Sequence, residues 1–472
     1  MKRVMLALPV LPALALGACS LAPKYVRPAP PVAASWPAGD AYLVQSEAAL
    51  PAVSYRDIFR DARLQALIEQ ALINNRDLRV AAANLAAARA QVRVTRANQF
   101  PEIGISGSAT RTDRGSTNSG TSGSTSGWSY SAQGGVSSFE LDLFGRLANA
   151  TAADRNTALA TEAAARTVRL GLVADLALAW ATYASDRDLM AIAEATVTNA
   201  QGIVRLTSAR LKGGVAPRTD LRQAEQILEI ALGDVARQKT ALAQDVNAIR
   251  LLVGADFDTA LLPQSTAQVT QGLGVLPAGT SSLVLLRRPD VVEAEYQLRA
   301  ANADIGVARA QLFPTISLTG LLGLASNTLS SLFTGGAFTS TVGADASWSI
   351  FNAGGKVAAV DVSKARRDAA LGTYEKAIQT AFQEVSDALA DQGTLAERLR
   401  AAQANTAAAQ DSAQLTEASY RGGIASSLDN LDAQRSLYSA RQSEVAVRLQ
   451  QASNRITLYR VLGGDQATAP AN

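Results

Sequence analysis

Three stretches of this chain occur twice, in the same order, about 210 residues apart. Residues 76–103, RDLRVAAANLAAARAQVRVTRANQFPEI, match 289–316, PDVVEAEYQLRAANADIGVARAQLFPTI. Residues 134–146, GGVSSFELDLFGR, match 343–356, GADASWSIFNAGGK, more loosely. Residues 211–225, LKGGVAPRTDLRQAE, match 420–434, YRGGIASSLDNLDAQ. The fold must therefore be assembled from two copies of one long unit. The reading divides the chain into 57–254 (repeat 1) and 287–464 (repeat 2), joined by a connector at 255–286 and followed by a tail at 465–472.

Each copy has the same order of elements. A helix ends at Phe-Pro (Phe100-Pro101 and Phe313-Pro314), because proline cannot continue it. Strand character follows at Ile103, Ile105 and Gly107, and again at Ile316, Leu318, Gly320 and Leu322. A Gly/Ser/Thr loop comes next, at 113–127 and at roughly 325–339. A returning strand is expected at about 128–142 and about 340–351, giving strand pairs 102–142 and 314–351. In the last of these, Val342, Ala344, Ala346, Trp348 and Ile350 share one face and Gly343, Asp345, Ser347 and Ser349 the other. Period-2 alternation of this length, with aromatics at the ends, suits a strand of an outer-membrane barrel, although a soluble hairpin has the same pattern. Lipid does not tolerate an open sheet edge, and such barrels start at about eight strands. Four strands per chain therefore require several chains to share one barrel, with cyclic symmetry the economical arrangement.

Long helices follow each strand pair. Residues 356–421 contain no proline, a span of roughly 100 Å at 1.5 Å per residue, with a break possible near Gly393. In the last helix Leu428, Leu431, Arg435, Tyr438, Gln442, Val445, Leu449, Ala452, Ile456 and Tyr459 step by alternating threes and fours, the spacing of a coiled-coil seam. Copy one repeats it at Leu221, Ala224, Leu228, Ala231, Val235 and Leu242. Gly213-Gly214 and Gly422-Gly423 are read as the turns of two antiparallel helical hairpins.

Composition narrows the chemistry. There is no His and one Cys, which removes His-based acid–base catalysis, His-ligated metals and an intrachain disulfide. Aromatics are only 5% while hydrophobics reach 48%, much of it Ala, as suits long helices packed at close range. Without Lys2 and Arg3 the chain has 42 basic and 41 acidic residues, so no nucleic-acid footprint is expected. No spacing of carboxylates argues for hydrolysis, and the chain is not expected to be an enzyme. Residues 1–18 have the form of a lipoprotein signal peptide: a basic start, then an apolar run too short to span a bilayer. Leu16-Gly17-Ala18-Cys19 looks like a bacterial lipobox, with Cys19 carrying a covalent lipid and Ser20 directing the product to the outer membrane. The proline-rich stretch after it makes 19–56 an extended tether.

With these features assembled, the chain resembles outer-membrane efflux factors of the TolC and OprM type, in the lipoprotein branch often called NodT-like. The most specific stretch is 286–320, LRRPDVVEAEYQLRAANADIGVARAQLFPTISLTG. The resemblance implies an α+β membrane protein of a Gram-negative bacterium. Three chains would form a twelve-stranded β-barrel continued by a long periplasmic α-helical barrel. It implies an export duct for drugs or other small molecules, fed by an inner-membrane pump of the resistance-nodulation-division class through a periplasmic adaptor, with no cofactor beyond the lipid. An exit duct for type I protein secretion and a lipid-anchored coiled-coil scaffold are the alternatives. The resemblance also places the Gly-Gly turns at the periplasmic tip as the adaptor-docking surface, with Leu211, Val215, Tyr420 and Ile424 as its exposed apolar side chains. It matches Asp429 and Asp432 to an acidic gate ring, with Asp220 the copy-one counterpart and Arg218 and Arg421 candidate partners. Ala425 stands where some relatives carry a gate-locking Arg. Ser426-x-x-Asp429 equally reads as a helix cap. Trp128, Trp348 and Phe351 are candidate membrane-interface anchors, with a buried belt position the alternative.

Overall fold

A computed structural model describes residues 20–42, 54–113, 127–274 and 281–464; Cys19, the leader, residues 114–126 and the 465–472 tail lie outside them. The chain separates into two compact units, one made of residues up to 28, 85–161 and 294–374, the other of 29–84, 162–293 and 375–472. In chain order the helices are α1 (Tyr55–Ile58), α2 (Ala62–Asn74), α3 (Arg76–Ala97), α4 (Arg146–Lys212), α5 (Arg218–Val253), α6 (Thr266–Gly272), α7 (Pro289–Ala310), α8 (Gly355–Arg421) and α9 (Ser427–Val461). The strands are β1 (Ile103–Thr112), β2 (Gly127–Glu140), β3 (Thr315–Ser326) and β4 (Phe338–Ser347). No helix among the described residues is long and apolar enough to cross a membrane.

The first unit carries one antiparallel sheet in the order β1-β2-β3-β4. Strand register sorts the side chains into two faces. The rung Ile103, Val136, Gly320, Val342 is apolar, whereas the rung Ser106, Gln133, Gly323, Thr339 is mostly polar. The apolar face has nothing over it: Ile105 is 92% exposed and Val342 90%. Between Val136 and Phe139 a bulge sets two residues against one, which brings Phe139 opposite Leu318 and keeps it on the apolar face. Gly135 just before it has φ 144°, and a Cβ there would lie 2.2 Å from the Gly320 carbonyl oxygen, so only glycine fits. β4 ends at Ser347 rather than near 351, so Trp348 and Ile350 do not belong to the strand. The alternation runs on in the sequence, but the Trp348 indole N–H turns instead to the Leu312 carbonyl at 3.0 Å. The loop between β3 and β4 correspondingly shortens to 327–337.

All four strand–helix junctions fall at one end of the sheet, since β1 and β3 start there and β2 and β4 end there. Phe144 stacks on Phe313 at 4.6 Å between ring centroids, Arg146 grips Glu140 through two bonds of 2.8 and 2.5 Å, and Asp142 caps α4 at the Ala148 amide. The tether runs along α7. Glu295, Asn302 and Arg309, spaced seven residues apart on that helix, hold Arg27 and Tyr25, the Pro23 carbonyl, and the Leu21 carbonyl in turn. Gly306 lets it approach closely, because a Cβ there would meet Ala22 Cβ at 2.8 Å.

The second unit contains the Gly-Gly turns and a layer of short elements. α8 runs unbroken through Gly393 for 67 residues, as long as α4. Arg288, from the Arg-Arg-Pro-Asp stretch, is buried and donates to the Val461 carbonyl, Asp290 and Glu384. Trp36 stacks on Phe382 and Phe59 meets Tyr459 edge to face. The seam in α9 is only partly as read. Leu431, Val445, Ala452, Ile456 and Tyr459 are buried, but Leu428 and Arg435 are exposed and Leu437 and Ala440 are buried in their place. One heptad assumes one partner, whereas α9 packs against α5 and α6 at different levels.

Candidate functional site

The two hairpin turns are built alike. In the first, the Val215 amide bonds the Arg210 carbonyl and the Gly214 amide the Leu211 carbonyl, each at 3.0 Å, with Gly214 at φ 75°. In the second, the Ile424 amide bonds the Ser419 carbonyl at 2.8 Å and the Gly423 amide the Tyr420 carbonyl at 3.0 Å, with Gly423 at φ 77°. This pair of bonds ends a helix on a left-handed residue, and the second glycine of each pair supplies it. Gly213 and Gly422 keep their amides on Ala209 and Ala418. Val215 and Ile424 project into solvent at 77% and 86% exposure, and Leu211 is half-buried.

Tyr420 departs from the expectation of an exposed side chain. It is buried, with its hydroxyl 3.2 Å from that of Thr207 on α4. The Arg210 guanidinium covers its ring and donates to the Tyr420 carbonyl at 2.8 Å and the Arg421 carbonyl at 3.3 Å. The last carbonyls of α8 thus receive a cation from the other hairpin, which suits a helix C-terminus. Arg421 does not face the aspartates but pairs with Glu417 on its own helix.

The acidic residues have different surroundings. Asp429 forms a reciprocal capping box with Ser426: its amide donates to the Ser426 hydroxyl at 3.1 Å, and its carboxylate accepts from the Ser426 hydroxyl at 2.7 Å and amide at 3.2 Å. The Ser426 hydroxyl and then its amide hold the Asp429 carboxyl below the usual carboxylate range. Asp432, one turn on, is exposed and pairs with Arg435 at 3.2 Å. Asp220 lies in the first turn of α5, half-buried, behind an N-cap (Pro217) with no side-chain cap. Arg218 is exposed beside it.

Behind the aspartates, Leu431 joins Ala200 and Ile203 of α4 and Ala224 and Ile227 of α5 in a dry cluster. Farther along, the Tyr438 hydroxyl donates to Asp234 of α5 at 2.5 Å, and Arg237 pairs with the same carboxylate at 2.9 Å. Burial and then that carboxylate push the Tyr438 phenol up. Sequence reasoning missed Arg210, Asp234 and Tyr438, whose partners lie more than 200 residues away. The one available signal was a basic residue in the last turn before a Gly-Gly stop. Among the described residues no group of three or more acidic or Cys side chains could hold a metal ion.

In the sheet unit, Trp128 stacks on Tyr130 at the loop end of the apolar face, while Trp348 and Phe351 are exposed at the helix end.

A family model described as outer membrane efflux protein matches residues 67–255 and 280–464, so both copies fall within it. The chain is 43% identical over 463 residues to a probable efflux pump outer membrane protein, TtgC, of Pseudomonas putida, covering 97% of this chain and 95% of that one. It is 39% identical over 459 residues to the cation efflux system protein CusC of Escherichia coli, covering 97% and 98%. The crystal structure of the open state of the Neisseria gonorrhoeae MtrE outer membrane channel matches with a TM-score of 0.83 at 32% identity, over 95% of this chain and 98% of that one.

Proposed function

The chain belongs to the outer membrane efflux protein family, and on that premise we propose that its hairpin tips form the periplasmic aperture of the duct. It is an outer-membrane channel of a tripartite efflux system, not an enzyme, and works with a periplasmic adaptor and a resistance-nodulation-division pump. The fold is the trimeric barrel of these channels, four strands from each chain, continued by a helical barrel. One observation carries the barrel physically. The sheet has an uncovered apolar face and two open edges, β1 and β4, of 10 residues each and opposite direction. β4 of one copy can extend β1 of the next antiparallel, and the ring closes without a free edge.

At the aperture, three copies of Asp432 form a carboxylate ring that narrows the pore and favours cations. Asp432 suits the role because its carboxylate is exposed and held only by a surface pair with Arg435. Asp429 does two jobs: it caps α9, and in the trimer it adds charge one turn away. Asp220 adds the copy-one contribution. Val215 and Ile424, presented by Gly213-Gly214 and Gly422-Gly423, form the docking surface for the adaptor. Trp128 anchors the barrel at its outer interface, and Trp348 and Phe351 at its inner one. Cys19 carries the lipid. The reading is supported by Ser20, whose hydroxyl donates to Asn149 of α4 at 2.8 Å, beside the strand–helix junctions.

Conductance of the purified trimer in planar bilayers tests the aperture. Asp432→Ala and Asp429→Ala should enlarge the currents and weaken cation selectivity, with Asp220→Ala acting more weakly. Unchanged conductance and selectivity in the triple variant would remove these residues from the gate.

A further inference from the structure

The first two turns of α9 bury two polar side chains that bond to nothing. Asn430 is 1% exposed, and neither its amide oxygen nor its amide nitrogen has a hydrogen-bond partner. Ser427, one turn earlier on the same face, is 6% exposed, and its hydroxyl is likewise unpartnered. Both are buried by their own chain, so a neighbouring copy cannot reach them in this arrangement. Unsatisfied buried amides are rare because desolvation is not repaid. A leucine has the branched outline of asparagine with no polar atom to satisfy, although its two methyl groups take more room.

We propose that Asn430 is a gate-tuning residue: its unpaired amide destabilises the docked position of the first turns of α9 and so sets how readily the tip changes state. The inference rests on the reading of the tips as the aperture. Two strongly bonded points bracket these turns. Tyr420 on one side is held by Arg210 and Thr207, and Tyr438 on the other by Asp234. Between them, a displacement of α9 gives up the dry contact of Leu431 but releases Asn430 and Ser427 to water or to new partners. The turns that move carry Asp429 and Asp432, so the displacement shifts the carboxylates of the ring. Asn430 touches no solute; it acts by positioning its neighbours.

Single-channel dwell times of the full-length trimer test this. In Asn430→Leu, one conductance level should become about tenfold longer-lived, as removal of an unsatisfied amide implies, while the lifetime of the other level stays unchanged. Asn430→Asp, of the same size but charged, should shorten that same level. If Asn430→Leu does not yield trimers, the Asp variant decides alone. Equal dwell times in wild type and both variants, in channels that still respond to Asp432→Ala, overturn the inference while leaving the aperture reading intact. A level that Asn430→Asp leaves unchanged or lengthens also overturns it, since a charge buried at an unsatisfied site must weaken the docked position further. Channels indifferent to Asp432→Ala as well overturn the aperture reading along with it.

Discussion

The Arg210 guanidinium lies 4.3 Å from the centre of the Tyr420 ring and bonds the Tyr420 carbonyl, so one residue from each copy of the repeat closes on the other. Their separation in sequence, 210 positions, is one more than the offset between the tips, so Arg210 adjoins the position equivalent to Tyr420. The two hairpins of a chain are thereby joined at their tips. The joint loses less entropy per bond than a lysine would, because the guanidinium fork is planar and pre-organised for two carbonyls.

Arg210→Ala should therefore loosen the tip. The charge-assisted bonds and the ring contact together contribute about 2 kcal/mol, discounted for the exposed side of the fork. The expected result is a larger mean conductance with trimers still intact. Arg210→Lys should fail to rescue it, since an ammonium cannot cover the ring and reach two carbonyls at once. Full rescue by lysine would reduce the contact to simple charge.

Glu295 organises the tether. It is buried and accepts from Arg27, Arg299 and Tyr25. Burial pushes its carboxyl up, but the bonds from Arg27 and Arg299 outweigh this and hold it below the usual range. A depressed carboxyl stabilises the fold above its unfolded value, and that stability is lost as pH falls through the folded one. The tether should stay bound at neutral pH and loosen only in acid, as pH falls below the ordinary Glu value of 4.5. In Glu295→Gln it should loosen at neutral pH, at a cost of about 1–2 kcal/mol after allowance for the exposed arginines. Hydrogen exchange over residues 20–28 reads the change.

Asp245 of α5 behaves in the opposite way. Burial first, and then the facing carboxylate of Asp186 on α4, push its carboxyl up to about 6. One of its oxygens is buried without a partner. A raised carboxyl binds its proton more tightly folded than unfolded, so this pair favours the fold most below the unfolded value of 3.8 and loses that support as pH rises through about 6. Asp245→Asn should raise the melting temperature at pH 7.5, by a stabilisation of about 1 kcal/mol allowing for water at the pair, and by less at pH 5. An equal effect at both pH values would show that the pair does not titrate in this range.

Much of this architecture is legible in the residues, for reasons that also mark the limit. The Gly-Gly turns and the Ser426–Asp429 cap are local devices, and local devices leave local signatures. The four strands show through alternation, but their ends do not. Trp348 and Ile350 continue the pattern after the ladder has stopped, because the partner strand β3 begins only at Thr315, opposite Ser347. Tyr420 reads as exposed because nothing near it in sequence announces Arg210. Asn430 reads as a solvated first-turn residue, and only packing from distant helices buries it. Properties that arise where elements far apart in sequence meet, including the burial that shifts Asp245, are set by the tertiary structure.

The two faces of the sheet supply the most direct test of the barrel. Ile105 and Ser106 are adjacent in β1, and their side chains leave it on opposite sides. Ile105 shares a face with Leu322 through the Gly134 rung, whereas Ser106 lies opposite Gln133 on the other. In the trimer the first face meets lipid and the second lines the water-filled lumen. The chain has one native cysteine, Cys19, so an introduced thiol can be followed without a second mutation once that position carries its lipid. Ser106→Cys in outer membranes should react fully with a charged, membrane-impermeant thiol reagent. Ile105→Cys should react at least tenfold more slowly, because the thiol rarely ionises in hydrocarbon. Equal labelling at the two positions would mean that both faces meet water, and the sheet could not then be part of a membrane barrel.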